Sequence, residues 1–267
     1  MSGPAVGKGG VSPRINAIFN RMVPGDEALL ELMQRRFAAA GLGAELYPGS
    51  IDDLLRHLLF TPDPVEPCTA HLPRELGVEE EPDRERIVAF ATAGGSRLSG
   101  LVIHDDPAIA SRLDRYVASV RSLDARLVDL GPGPQLFIEY AVGHEPRRFV
   151  ELFRTIEDCS RVGACLDIGH VGMFHCERVF RRSHPGQSLY DLKAHTEALF
   201  RGADEVQQIV ASALPVVLDT VRALASIDKP LHFHLHDGHP ASTFSPLGVS
   251  DHLSFFQDVP VPFQHRG

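Results

Sequence analysis

Near its C-terminus the chain reads His232-Phe-His234-Leu-His236-Asp237, and well before that it reads Cys165-Leu-Asp167-Ile-Gly-His170. Each is a short apolar segment that ends in imidazoles and a carboxylate. Alternate side chains of a strand point to opposite faces, so His232, His234 and His236 share one face. Gathering that many polar groups at a strand end is costly unless something binds them. A divalent cation is the simplest such ligand, and a mixed nitrogen and oxygen donor set leaves Zn, Mn, Co, Fe or Mg open.

These segments must be held by an alternating series of strands and helices. Apolar runs predict strands at 15–19, 43–47, 68–72, 98–104, 136–140, 164–168 and 231–236. Asp26 caps a helix with Leu29, Met33 and Phe37 on one stripe, and Ser50 with Asp53 starts the next. Asp106-Pro107 opens a long helix ending near Gly131, and Glu145-Pro146 opens one reaching about Arg161. Helices at 189–200 and 204–225, the second kinked by Pro215, fill an insertion over 172–229. That insertion is longer than a simple crossover, so part of it is expected to cover the site as a lid. Strand-helix repeats of this kind predict an α/β fold, a (β/α)8 TIM-type barrel that is incomplete or irregular at the eighth strand. It occupies 14–267 as one domain, after a disordered lead-in over 1–13. No GxGxxG follows the first strand, which argues against a dinucleotide fold.

Functional residues of such a barrel gather at the C-terminal ends of its strands. Those ends carry His71, His104, Glu139, Asp167 with His170, and His234 with Asp237. His71 or His104 alone reads as a hydrogen-bonded structural residue. Five consecutive strand ends bearing imidazole or carboxylate at one level point to a metal centre.

The segments Ala70-His71-Leu-Pro73, Val102-Ile-His104, Phe137-Ile-Glu139, Leu166-Asp167-Ile-Gly-His170 and His234-Leu-His236-Asp237 resemble the xylose-isomerase-like barrel superfamily. That group includes sugar isomerases and epimerases, inosose dehydratases and DNA-repair enzymes of the endonuclease IV type. The resemblance covers roughly Ile15 to His252 and is most specific at Asp-x-Gly-His and His-x-x-Asp. It implies Glu139, Asp167 and His234 as metal ligands, with Glu139 and His170 as catalytic residues and His170 touching substrate or a second metal. His71 and His104 fall where the endonuclease branch binds further zinc and where isomerases line the pocket. Asp237 and His236 would stand behind the ligands, and His232 would line the pocket at most. Asp251-His252 is adjacent where the endonuclease branch has Asp-x-His, and the family's last glutamate, from an eighth strand, has only the stretch 258–263 as a stand-in. The barrel is therefore expected to be open, closed by a partner chain, or represented by a truncated sequence.

The expected activity is that of a divalent-metal-dependent isomerase or epimerase acting on a small sugar or polyol. Glu139 is the one carboxylate evident for proton transfer. One alternative is an endonuclease-IV-like phosphoesterase, and another is a non-catalytic or partner-dependent subunit lacking its last strand. The net charge of −9 and pI near 5.8 leave no basic stripe, which opposes a nucleic-acid partner. A small-molecule substrate, no membrane and a homo-oligomer are the expected partnerships. The four cysteines form no CxxC pair, consistent with reduced thiols in the cytoplasm. No apolar run approaches the roughly 20 residues of a membrane span. The remaining features have plain readings: Glu79-Glu80-Glu81 as a solvated helix start, His175 and Cys176 as loop residues, and Cys165 as a core hydrophobe. Arg181 and Arg182 with His184 read as a solvated turn, and Gly131-Pro-Gly-Pro134 as a tight turn.

Overall fold

The computed structural model describes residues 16–19, 27–59, 68–106, 108–141, 143–189 and 203–235. Among these residues seven strands pair in sequence order, each parallel to the next: β1 Asn16–Phe19, β2 Gly43–Leu46, β3 Cys68–His71, β4 Gly100–His104, β5 Gln135–Glu139, β6 Val162–Asp167 and β7 Leu231–His234. Parallel neighbours require crossovers, and the helices supply them: α1 Glu27–Ala39, α2 Ile51–Leu59, α3 Glu81–Gly94, α4 Leu113–Asp129, α5 Pro146–Thr155, α6 Ile168–Ser183 and α7 Ala203–Ala225.

Strand alternation divides the sheet into two chemically different faces. Leu46, Ala70, Leu101, Ile103, Leu136, Ile138, Ala164 and Leu166 are buried in one apolar cluster with the helices. The alternate positions carry Glu45, His71, His104, Glu139, Cys165, Asp167, His232 and His234. Side chains of β7 reach Glu45 on β2, so the sheet curls until strands far apart in order meet across its concave side. Phe137 fills the floor of that hollow with Val102 and Cys165. Its ring needs Gly100 and Gly163: a Cβ on Gly100 would come within 2.6 Å of the ring, and one on Gly163 within 3.1 Å. Among the described residues β1 and β7 are the sheet's edges. The expected eighth-strand stretch and the lead-in lie outside the described residues.

Several element readings change. The helix expected from Asp106 starts later, because Asp106 Oδ1 accepts from the Ala108 amide at 2.7 Å and begins a short 3-10 turn, Ile109–Ser111. The helix expected to reach Arg161 ends at Thr155. His175 and Cys176 lie on α6, not in a loop: His175 Nε2 is 2.9 Å from Ser212 Oγ on α7, and Cys176 is buried between the two helices. Glu79 is packed, not solvated, with Arg112 at 2.9 Å and Arg115 at 3.4 Å.

No lid forms from α6 and α7. Their cluster of Cys176, Phe180, Val206 and Ile209 packs the pair together, and Val216, Val217, Val221 and Leu224 join the outer core. The α7 chain is thus the crossover helix into β7, with Pro215 inside it. Residues 190–202, where another helix is expected, lie outside the described residues. By length and composition alone Asp204–Ala225 is apolar enough to cross a membrane, contrary to the sequence expectation.

Candidate metal centre

Glu139 closes β5 at the middle of the sheet, and three imidazoles converge on it. His71 Nε2 lies 2.8 Å from Oε2, His234 Nδ1 lies 3.0 Å from Oε1, and His104 Nε2 lies 3.6 Å from Oε2. The register explains the convergence: Glu139 pairs with His104 on β4 and with Cys165 on β6, and Asp167 pairs with His234. Burial alone pushes the Glu139 carboxyl up, but hydrogen bonds from His234 and His71 outweigh it and hold the group well below the ordinary range.

Asp167 ends β6 and caps α6, accepting from the His170 amide at 2.9 Å. The cap fixes the first helical turn directly on the strand, so the side chains of Asp167 and His170 face the same space. His170 Nδ1 donates to the Tyr140 carbonyl at 2.9 Å, which leaves Nε2 directed toward Asp167, 3.5 Å from Oδ2. His71 is held in the same manner, Nδ1 donating to the Leu72 carbonyl at 3.2 Å. A histidine tied through Nδ1–H to a carbonyl presents Nε2 as a lone pair, which is how metal-ligating imidazoles are oriented. For His71 that lone pair faces a carboxylate oxygen at hydrogen-bond distance, so a proton or a cation must lie between them.

Two sets of three donors result. His71, Glu139 and His234 place ligand atoms within 4.8 Å of one another, as do Glu139, Asp167 and His170. All five residues are buried, and Glu139 belongs to both sets. The expected trio Glu139, Asp167 and His234 is thus distributed over two adjacent positions, each completed by one of the histidines. His104 stands beside them as a weaker contact, its Nδ1 buried without a hydrogen-bond partner among the described residues, and burial pushes it down to about 4. His236, Asp237, Asp251 and His252 lie outside the described residues.

Sequence reading misses Glu45. Its buried carboxylate accepts from Thr69 Oγ1 at 2.9 Å and Tyr47 OH at 3.3 Å, meets His232 Nε2 at 2.9 Å, and lies 2.9 Å from His234 Nε2. Contacts with His232 and His234 hold it below its usual range despite burial, which alone would raise it. The signal was a lone charge in the four-residue strand Gly43–Leu46. Glu139 is therefore not the only carboxylate inside the sheet, and half-buried His232 is paired with Glu45. The His234 ring, between two carboxylates, is raised above its ordinary value by Cys165, Glu139 and Glu45 although burial opposes this.

Access comes from the strand-end side. One cavity of about 320 Å³ is lined by Tyr47, Gly49, His71, Arg74 and His104, with Tyr47 stacked on His71 at 4.9 Å. A second of about 310 Å³ shares Arg74 and His104 and extends to Asp105 and Arg112. A larger hollow, about 480 Å³, lies on the outer side between α5, α6 and α7, away from these donors.

No family model matches the chain, and no curated protein matches it. A solved structure of the TTHB071 protein from Thermus thermophilus, soaked with ZnCl2, is similar over 60% of this chain and 67% of that chain, at 21% identity and a TM-score of 0.42.

Proposed function

We propose that the chain is a divalent-metal-dependent enzyme that hydrolyses a phosphate ester of a small, hydroxyl-rich substrate. The observation that carries this reading is Glu139 shared between two sets of three donors, the ligand arrangement of a two-metal hydrolase. Bound there, divalent ions supply Lewis acidity to a phosphoryl oxygen and acidify a water molecule. Glu139 would be shared by the two positions; His71 and His170 are each fixed by a backbone carbonyl with Nε2 toward the centre. Asp167 completes the second set while capping α6. Arg74 lies in the wall common to both cavities, where its guanidinium suits the phosphate of an entering substrate. The cavities fit a small molecule, and the acidic chain disfavours polynucleotide.

Isomerisation of a sugar is the second reading, favoured by the presence of two buried glutamates, Glu45 and Glu139. Glu45 accepts from Thr69 and meets His232, and Glu139 is flanked by His71 and His234, so neither is a free base for moving a substrate proton. The test is metal content after reconstitution with Zn or Mn, together with hydrolysis of p-nitrophenyl phosphate and bis(p-nitrophenyl) phosphate. At least two ions per chain are expected, one for each of these donor sets, with turnover reduced by about 100-fold or more in Glu139→Gln. No hydrolysis, combined with deuterium exchange from solvent into a sugar, would replace this reading with the isomerase one.

A further inference from the structure

Beneath the open centre the concave face holds another set of donors. Cys165, His232 and His234 place ligand atoms within 4.8 Å of one another. Cys165 and His232 are register partners on β6 and β7, and His234 follows two residues later on the same face. Opposite them, Glu45 spreads its carboxylate between the imidazoles, Oε2 at 2.9 Å from His232 Nε2 and Oε1 at 2.9 Å from His234 Nε2.

The two contacts differ in kind. His232 makes a hydrogen bond to Glu45. His234 Nε2 is buried and paired with Glu45 Oε1 at 2.9 Å by charge and proximity, without the alignment of a hydrogen bond. A carboxylate oxygen and an imidazole nitrogen held this close, beside a thiol and a second imidazole, are placed as ligands of one ion would be. Glu45 is also braced by the Thr69 and Tyr47 hydroxyls, the support that ligating carboxylates receive from their surroundings. Below lie Phe137 and Val102, clustered with Cys165, so that side of the site is apolar.

We propose that Glu45, Cys165, His232 and His234 form a closed binding site for a thiophilic divalent ion, Zn(II) foremost, stacked beneath the open centre. One thiolate, two imidazoles and one carboxylate make a four-donor set of the kind structural zinc uses, and the sulfur selects against Mg and Mn. His234 presents Nδ1 to Glu139 above and Nε2 to Glu45 below. Ligating ions on both sides would make His234 a bridging imidazolate, its second ring proton released to solvent; that sharing rests on the metal reading of the upper centre, and the lower donor set does not. The ion would tie β2 to β6 and β7, holding the curl that strand pairing alone leaves open. Metal binding energy is then folding energy.

The test uses the full chain, stripped with a chelator and titrated with Co(II). The expected result is a near-ultraviolet thiolate-to-cobalt charge-transfer band that persists in His170→Ala, which touches only the upper centre, and vanishes in Cys165→Ser. Circular dichroism checks that the serine variant folds. If it does not, His232→Gln decides: the band should then require at least about tenfold more Co(II), the scale on which metal sites respond to a lost partner. Unchanged affinity in His232→Gln would overturn the site. So would a band that survives Cys165→Ser, since another cysteine would be its source. Ligand-field absorption without any thiolate band would remove the lower site and leave the upper one standing. No cobalt bound at all would remove both.

Discussion

The outer and inner faces of the one sheet are built from the same strands yet follow opposite rules. Ile138 and Glu139 are neighbours on β5, both buried, and they face opposite ways. The outer face carries branched aliphatic side chains against helices, which contributes the hydrophobic stabilisation. The inner face carries carboxylates, imidazoles and a thiol that oppose one another's burial unless a proton or a cation joins them. Stability and the proposed metal binding are therefore separable by a single step along the chain, and the fold supports its polar interior from behind.

The sharpest way to break this contrast is to change those two neighbours separately. Ile138→Ala should cost about 2–5 kcal/mol of stability in urea unfolding, while metal affinity of the folded protein, read by calorimetry, stays unchanged. Glu139→Gln should do the reverse: affinity falls by about 100-fold or more, while the metal-free unfolding midpoint moves far less than in Ile138→Ala. Equal stability losses would mean that the inner network is structural and that the faces are not divided as described.

A second change couples the faces. Gly163 sits on β6 where an added Cβ would come within 2.4 Å of the Pro230 carbonyl oxygen, a backbone atom at the entry to β7. Gly163→Ala should therefore cost about 1–3 kcal/mol and also weaken metal binding, because β7 carries His232 and His234. A stability loss with unaltered metal binding would show that β7 can shift without moving its ligands.

How much of this was legible in the sequence follows from the same division. The parallel order of the strands is legible because alternating apolar runs and capping residues report local geometry. Asp167-Ile-Gly-His170 is legible because a carboxylate that caps a helix and a histidine in its first turn meet through local chain geometry. Glu45 is not: its partners His232 and His234 lie far along the chain, and only the curl of the sheet brings them together. The division of Glu139, Asp167 and His234 between two donor sets is likewise invisible without register. The late start of α4 depends on an Asp106 side-chain bond that competes with the helix, which an apolar stripe does not report.

The smallest expected effect isolates one inner-face group whose titration does not need a metal to be read. Burial lowers His104 from its ordinary 6.5 to about 4; Glu139 opposes this, while His71, Arg74 and His170 add to it. The folded protein thus holds the ring neutral between those values, whereas the unfolded chain protonates it. The unfolded state binds more protons there, so stability is lost as pH falls from about 6.5 to about 4 and is unaffected by this group above or below. One proton limits the slope to about 1.4 kcal/mol per pH unit. Metal-free protein should therefore lose urea stability over that window more steeply than His104→Gln, which keeps a polar side chain but cannot titrate. Glu139, held low, contributes in the same direction only further into acid, and it is common to both proteins, so the difference between the two curves belongs to His104. Superimposable curves would mean that water reaches the ring freely and that the strand-end side of the hollow is as open as the outer surface.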